Sequence, residues 1–98
     1  MSKTLQEIQQ KLLRQKTKLK REYNVQRIGV FGSFASGQQT ATSDIDILVE
    51  LSPTIGLFQF VELEHRLETL LGRHIDLATK NALKPRIKDR ILEQMVYV

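Results

Sequence analysis

The stretch V-F-G-S-F-A-S-G-Q-Q-T-A-T-S-D-I-D-I-L-V-E, residues 30–50, decides the fold of this 98-residue chain. A short apolar strand ends in Gly32 and Ser33, and ten residues separate Ser33 from Asp44 at the head of a second apolar run. Successive side chains of a strand point to opposite faces, so Asp44 and Asp46 share one face and lie about 7 Å apart. The pattern predicts two strands joined by a polar loop, with two carboxylates on the second strand.

The carboxylate pair and the Gly-Ser turn indicate metal and phosphate chemistry. Two like charges held this close repel each other unless a cation lies between them, and hard oxygen ligands suit Mg²⁺. The turn at Gly32 and Ser33 suits a phosphate group, because small residues let backbone N–H groups approach it. If residues 34–36 form a helical turn that Gly37 ends, Ser33 lies at its N-terminus, where free N–H groups favour an anion. Together these features indicate phosphoryl or nucleotidyl transfer.

A third carboxylate lies in another alternating segment, residues 74–79. Ile75 and Leu77 face one way and Asp76 faces the other. Aspartate is disfavoured in strands, so its presence needs an explanation. One explanation is a strand-end or edge position where the side chain meets solvent. The other is favoured by the first carboxylate pair: this strand lies beside the second strand, and Asp76 faces that pair.

The rest of the chain has clear helix and strand periodicity. Apolar residues at helical spacing, such as Ile87, Ile91 and Met95 near the C-terminal end, predict helices, and alternation predicts strands. Asn24 and Gly72 are expected to follow two of the helices directly. In chain order we predict helix 3–22, strand 25–31, strand 43–51, helix 57–71, strand 74–79 and helix 86–95.

Length and composition exclude several classes of protein. Ninety-eight residues, 41% of them apolar, predict one globular domain over residues 1–98. The absence of cysteine excludes disulfides and thiolate zinc sites, and two separated histidines, His65 and His74, do not make a zinc site. His65 is expected at the surface. No apolar stretch reaches the length of a membrane span, and the first segment is a polar helix, so we expect a cytoplasmic protein.

The net charge of +4 is concentrated at the beginning of the chain. Residues 1–22 contain seven basic and two acidic side chains, a net charge of +5, which leaves −1 for the remainder. One interpretation is a solvated helix face. The other is an electrostatic surface for an acidic protein, a nucleic acid or a nucleotide. The seven basic residues are Lys3, Lys11, Arg14, Lys16, Lys18, Lys20 and Arg21.

The whole chain resembles the minimal nucleotidyltransferase (MNT) proteins of the DNA polymerase β superfamily. The resemblance lies in the Gly-Ser turn, its spacing to the Asp-x-Asp strand and the third aspartate. It extends to residues 70–77 (L-L-G-R-H-I-D-L), 83–87 and 95–98. It implies an α+β fold, in which a small mixed β-sheet of about three to four strands has its helices packed on one side.

The resemblance also implies a site and a mechanism. The implied residues are Gly32, Ser33 and Ser43 for the nucleotide, and Asp44, Asp46 and Asp76 for catalysis and two Mg²⁺ ions. Gly32 and Ser33 would bind the β- and γ-phosphates of ATP. The catalytic ion on Asp76 would lower the pKa of an acceptor hydroxyl, which would attack the α-phosphate in line and release Mg-pyrophosphate.

MNT proteins are similar to the antitoxins of HEPN–MNT toxin–antitoxin pairs, in which the MNT protein transfers AMP from ATP to a tyrosine of a HEPN ribonuclease. The implied function is therefore Mg-dependent protein adenylylation of a HEPN toxin. One alternative is an inactive MNT domain that neutralises the toxin by binding alone. Another is a transferase for a small molecule or a nucleic-acid end, against which the short chain and the absence of interleaved aromatics argue. Exposed apolar residues on the first and last helices could serve a homodimer or a heterocomplex.

One departure from the family concerns the loop at residues 36–43. Many members have Arg or Lys where this chain has Ser36, and here the loop contains no cation. Other partners would then be needed for the triphosphate. By position in the sequence, Lys80, Lys84 and Arg86 are candidates.

Overall fold

The computed structural model describes residues 4–98, so Lys3 of the first predicted helix lies outside the described residues. Within this range, four helices and four strands alternate, which confirms the predicted α+β class. Their order is α1 (Leu5–Tyr23), β1 (Val25–Phe31), α2 (Gly32–Ser36), β2 (Ile45–Leu51), α3 (Leu57–Leu71), β3 (Ile75–Thr79), α4 (Pro85–Gln94) and β4 (Val96–Tyr97), with a 3₁₀ turn at Lys80–Ala82.

The four strands form one mixed sheet in the order β3-β2-β1-β4. β1 is antiparallel to β2 and β4, whereas β2 and β3 are parallel. Asp46 pairs with Phe31 of β1 on one side and with Asp76 of β3 on the other. The end of β1 and the beginnings of β2 and β3 therefore meet at one end of the sheet.

The hydrophobic core lies between one face of the sheet and helices α1 and α3. Ile8 and Leu12 of α1 are fully buried, whereas Leu13 is 61% exposed, so Leu12 carries the helical stripe. Leu63 and Leu67 of α3 are also fully buried. Burying apolar side chains on one stripe per helix holds both helices against the sheet. The predicted packing of these helices on one side of the sheet is confirmed.

Both long helices end at a residue in the left-handed conformation, as the sequence predicts. Asn24 has φ 60° and its backbone N–H donates to the carbonyls of Leu19 and Lys20. Gly72 has φ 66° and its N–H donates to the carbonyl of Glu68. These caps satisfy carbonyls that would otherwise lack partners and turn the chain into β1 and β3.

Several bounds differ from the sequence predictions. β2 begins at Ile45 and β3 at Ile75, so Asp44 precedes its strand. β4 was not predicted, because two residues are too short for a recognisable alternation. The apolar stripe of α4 remains on the surface, with Ile87 45% exposed and no residue of the helix buried. Within residues 4–98, no helix has the length and apolar character needed to cross a membrane.

Candidate functional site

The turn after β1 brings backbone against a carboxylate. Gly32 has φ +70°, a conformation that L side chains rarely adopt. A Cβ built at this position would overlap Asp46 Oδ2 and would lie 2.9 Å from Asp46 Cγ. Both the backbone angle and the available space therefore require glycine here. Ser33 follows as the second residue of α2, whose N-terminal backbone receives no side-chain cap.

Asp46 and Asp76 form the centre of the site, because they lie side by side in the parallel ladder of β2 and β3. Asp46 is half-buried and Asp76 is exposed. Burial raises the pKa of Asp46 from 3.8 to about 6, and the charge of Asp76, a hydrogen bond with Asp76 and the charge of Asp44 add to this rise. The pair thus concentrates negative charge that a bound cation would relieve. Hard carboxylate oxygens of this kind fit Mg²⁺.

Asp44 lies in the loop before β2, beside His74. Its Oδ2 lies 3.3 Å from Nδ1 of His74, whose Nε2 lies 3.9 Å from Oε2 of Glu68. Over residues 4–98, no three acidic or histidine side chains are gathered in a geometry that could hold a metal ion. The structure therefore brings Asp46 and Asp76 together, whereas Asp44 contributes its charge from the adjoining loop.

The loop before β2 is organised by its own side chains and by one distant arginine. Ser43 Oγ accepts a 2.8 Å hydrogen bond from the Thr40 N–H. Arg73 Nε donates to the Ser43 carbonyl at 2.7 Å, and its Nη2 donates to the carbonyls of Thr40 (3.1 Å) and Ala41. The Arg73 guanidinium carbon lies 5.4 Å from the centre of the Phe34 ring of α2. Sequence reasoning did not identify Arg73, because thirty residues separate it from Ser43 and no local pattern links the two.

The other cations proposed from sequence lie elsewhere. Lys80 Nζ is 3.7 Å from Glu50 Oε1, near the ends of β2 and β3 that are opposite to the carboxylate pair. Lys84 and Arg86 are exposed at the start of α4. A groove of about 870 Å³ lies beside Lys80 and is lined by Glu50 and Phe60, but not by the site carboxylates. The site chemistry is thus at the open end of the sheet, outside this groove. His65 is exposed, as expected.

Comparisons with known proteins point to one family of domains. The family model described as nucleotidyltransferase domain matches residues 12–98. The protein adenylyltransferase MntA of Thermococcus cleftensis is 43% identical over 95 residues, which cover 97% of this chain and 96% of that protein. A solved structure of a candidate minimal nucleotidyltransferase superposes with TM-score 0.82 at 28% identity, covering 96% of this chain and 95% of the other.

A toxin–antitoxin crystal structure with AMP-PNP contains a chain that matches with TM-score 0.71 and 28% identity, over 86% of this chain and 69% of that one. The match to the family model, the identity to relatives and the superposition of the mixed four-stranded sheet all indicate the same family. The chain belongs to the nucleotidyltransferase domain family, in the minimal nucleotidyltransferase form that its sequence resembles.

Proposed function

We propose that this chain is an antitoxin-type protein adenylyltransferase that transfers AMP from ATP to a tyrosine hydroxyl of a HEPN ribonuclease toxin. The observation that carries the proposal is the contact of the Gly32 backbone with Asp46, which lies in register beside Asp76. Such an arrangement can hold a phosphate-bearing ligand and a cation at one point. The adenylyltransferase name of the Thermococcus relative and the AMP-PNP in the related toxin–antitoxin structure support the choice of ATP.

Each residue of the site has a separate role in this mechanism. Gly32 and Ser33 would bind the β- and γ-phosphates through backbone N–H groups, and Ser43 would orient the nucleotide from the facing loop. Asp44, Asp46 and Asp76 would hold two Mg²⁺ ions, which supply charge neutralisation for the attacking and leaving oxygens.

Proton transfer would fall to Asp76. Asp76 is exposed, so an incoming hydroxyl can reach its carboxylate oxygens, whereas Asp46 beside it is half-buried. Asp76 would accept the proton of the tyrosine hydroxyl as its oxygen bonds to the α-phosphate and the bond from the α-phosphate to the leaving pyrophosphate breaks. Asp46 would keep Asp76 in place through the parallel ladder of β2 and β3.

The basic face of α1 supports docking to an acidic protein surface. Arg14, Lys18 and Arg21 recur at intervals of four and three residues, so they lie on one side of the helix, and all three are exposed. Among the described residues, no carboxylate lies within 4 Å of their charged groups. Long-range attraction between such a face and an acidic partner would accelerate their encounter.

The proposal is tested by AMP transfer. The purified protein is mixed with Mg²⁺, α-labelled ATP and a purified HEPN toxin, beside a toxin in which the acceptor tyrosine is replaced by phenylalanine. We expect label on the toxin, loss of label with Asp46→Asn, and full label with the control Asp89→Asn on the exposed face of α4.

Two outcomes would contradict the adenylyltransferase proposal. Label that persists in Asp46→Asn would remove the carboxylate pair from the mechanism. A toxin that is neutralised without being labelled would identify the chain as a binding-only antitoxin. The contact of Asp44 with His74, where the mechanism needs Asp44 to hold a metal ion, is the observation that favours this second function.

A further inference from the structure

Arg73 connects three segments of the candidate site. It directly follows the Gly72 cap of α3 and precedes β3, which carries Asp76. Its guanidinium donates to the loop that leads into Asp44, and it lies over Phe34 of α2, the helix that contains Ser33. We propose that Arg73 is a positioning residue that fixes the loop at residues 40–43, and with it Ser43 and Asp44, for binding of the metal-bound nucleotide. This inference rests on the proposed function.

The hydrogen bonds explain why this loop needs a partner from elsewhere in the chain. The Thr40 and Ser43 hydroxyls share a hydrogen bond, and Ser43 Oγ also accepts from the Thr40 N–H. The Thr40 carbonyl accepts from the Ser43 N–H at 3.2 Å, but no bond within the loop reaches the carbonyls of Ala41 and Ser43. Arg73 donates to all three carbonyls. A single side chain thereby determines the path of four residues.

Through these hydrogen bonds Arg73 brings a positive charge to a loop that has none in its own sequence. Residues 36–43 carry no charge, yet in the folded chain the positively charged guanidinium of Arg73 lies against this loop. Because this guanidinium is bonded to carbonyl oxygens, its effect on a nucleotide would pass mainly through the loop's position. Arg73 therefore differs from a lysine or arginine that binds a phosphate directly.

Arginine is required here for its shape as well as its charge. Its planar guanidinium holds several donors in a fixed fork, so Nε and Nη2 reach different carbonyls at once. The plane can also lie against an aromatic ring, and the Phe34 ring is fully buried and fixed. A lysine would keep the charge but could neither span three carbonyls nor pack in this way.

The first test measures loop order without any need for activity. Hydrogen exchange is followed at the amides of Thr40 and Ser43, which both make hydrogen bonds inside the loop. In Arg73→Lys and Arg73→Gln we expect about tenfold faster exchange at these amides and unchanged exchange in α3. The matched control is Arg66→Lys, since Arg66 also lies near an aromatic ring, that of Tyr23, and bonds Glu22 outside the site.

The second test measures affinity for Mg·AMP-PNP by calorimetry. We expect both Arg73 variants to bind at least about tenfold more weakly than the wild type, and the Arg66 control to bind normally. Normal affinity in Arg73→Lys but not in Arg73→Gln would mean that charge alone matters, and would overturn the positioning role. Unchanged loop exchange would overturn it too, and so would variants that fail to fold, because the residue would then serve the fold.

These readouts separate the inference from the proposed function. If the wild type transfers no AMP but binds the nucleotide, and Arg73→Lys loosens the loop and weakens binding, the positioning role stands and the transferase proposal fails. If transfer is found and both Arg73 variants keep wild-type exchange and affinity, the transferase proposal stands and the positioning role fails.

Discussion

Replacing Asp46 with asparagine should stabilise the metal-free protein at neutral pH while it removes AMP transfer. In the folded chain, the pKa of Asp46 is raised to about 6 by burial, by the charge of and a hydrogen bond with Asp76, and by the charge of Asp44. Ionised Asp46 is therefore unfavourable in the folded state unless a cation is bound. Asparagine has a similar shape but no charge, so the substitution should raise the free energy of unfolding while it abolishes AMP transfer.

The size and sign of the effect follow from the pKa shift. A rise from 3.8 to about 6 corresponds to an upper limit of about 3 kcal/mol at 1.36 kcal/mol per pKa unit. Asp46 is partly exposed, and solvent screening reduces this value to about 1–1.5 kcal/mol. Between about pH 4 and pH 6 the folded state binds more protons than the unfolded state, so this contribution to stability falls as pH rises. The gain of Asp46→Asn over wild type should thus be near zero below pH 4 and complete above pH 6.

The assay is urea denaturation of both proteins in EDTA from pH 4 to pH 8. At neutral pH the free energy of unfolding of Asp46→Asn should exceed that of the wild type by about 1–1.5 kcal/mol. In a thermal melt this difference corresponds to a Tm higher by about 4–12 °C. Asp89→Asn is the matched control and should give no pH-dependent difference. Added Mg²⁺ should stabilise the wild type more than Asp46→Asn, and so reduce the difference between their free energies of unfolding. A stability difference that does not change with pH, or an Asp46→Asn protein that is less stable at pH 8, would refute the reasoning.

Three further predictions test how the chain packs around the site and in the core. Gly32→Ala and Gly37→Ala both strain a left-handed backbone, at φ +70° and φ +76°, by about 1–2 kcal/mol. Only Gly32→Ala should also abolish AMP transfer, because a Cβ at Gly32 meets Asp46 whereas Gly37 has open space around it. Equal AMP transfer by the two variants would contradict this. Gly29→Ala places a Cβ 2.6 Å from Met95 Sδ, so it should cost about 1–3 kcal/mol in urea denaturation, and a second substitution, Met95→Ala, should recover part of that loss. Leu67→Ala removes a fully buried side chain and should lower the free energy of unfolding by about 2–5 kcal/mol, while a change below 1 kcal/mol would show that the core relaxes around it.

The sequence predicted the parts of the structure that depend on short-range periodicity. β1 and α3 have the predicted bounds, residues 25–31 and 57–71, because apolar spacing of two and 3.6 residues distinguishes strand from helix. The position of Asp76 was also predictable. Its alternation with Ile75 and Leu77 assigns it to the face opposite the core, and the parallel pairing then sets it beside Asp46.

The parts that the sequence did not predict depend on contacts between distant residues. Arg73 donates to backbone carbonyls of a loop thirty residues away. Every residue has such a carbonyl, so the residue types of the loop do not indicate which ones accept a hydrogen bond. Asp44 continues the alternating pattern of β2, yet it precedes the strand and turns to His74. The edge strand β4 depends on pairing with β1 through only two residues, Val96 and Tyr97. In each case the partner, rather than the local sequence, determines the structure.

The parallel register of β2 and β3 makes the pairing of Asp46 with Asp76 sensitive to the length of the chain between α3 and β3. Only three residues, 72–74, join α3 to β3, and the first of them is the Gly72 cap. Insertion or deletion of one residue there would shift β3 by one position and exchange its two faces, so an isoleucine or leucine would stand beside Asp46 and Asp76 would point into the core. During evolution this junction should keep its length even where its side chains change. In a family of such chains, length variation should therefore collect in surface loops far from it, such as residues 52–56.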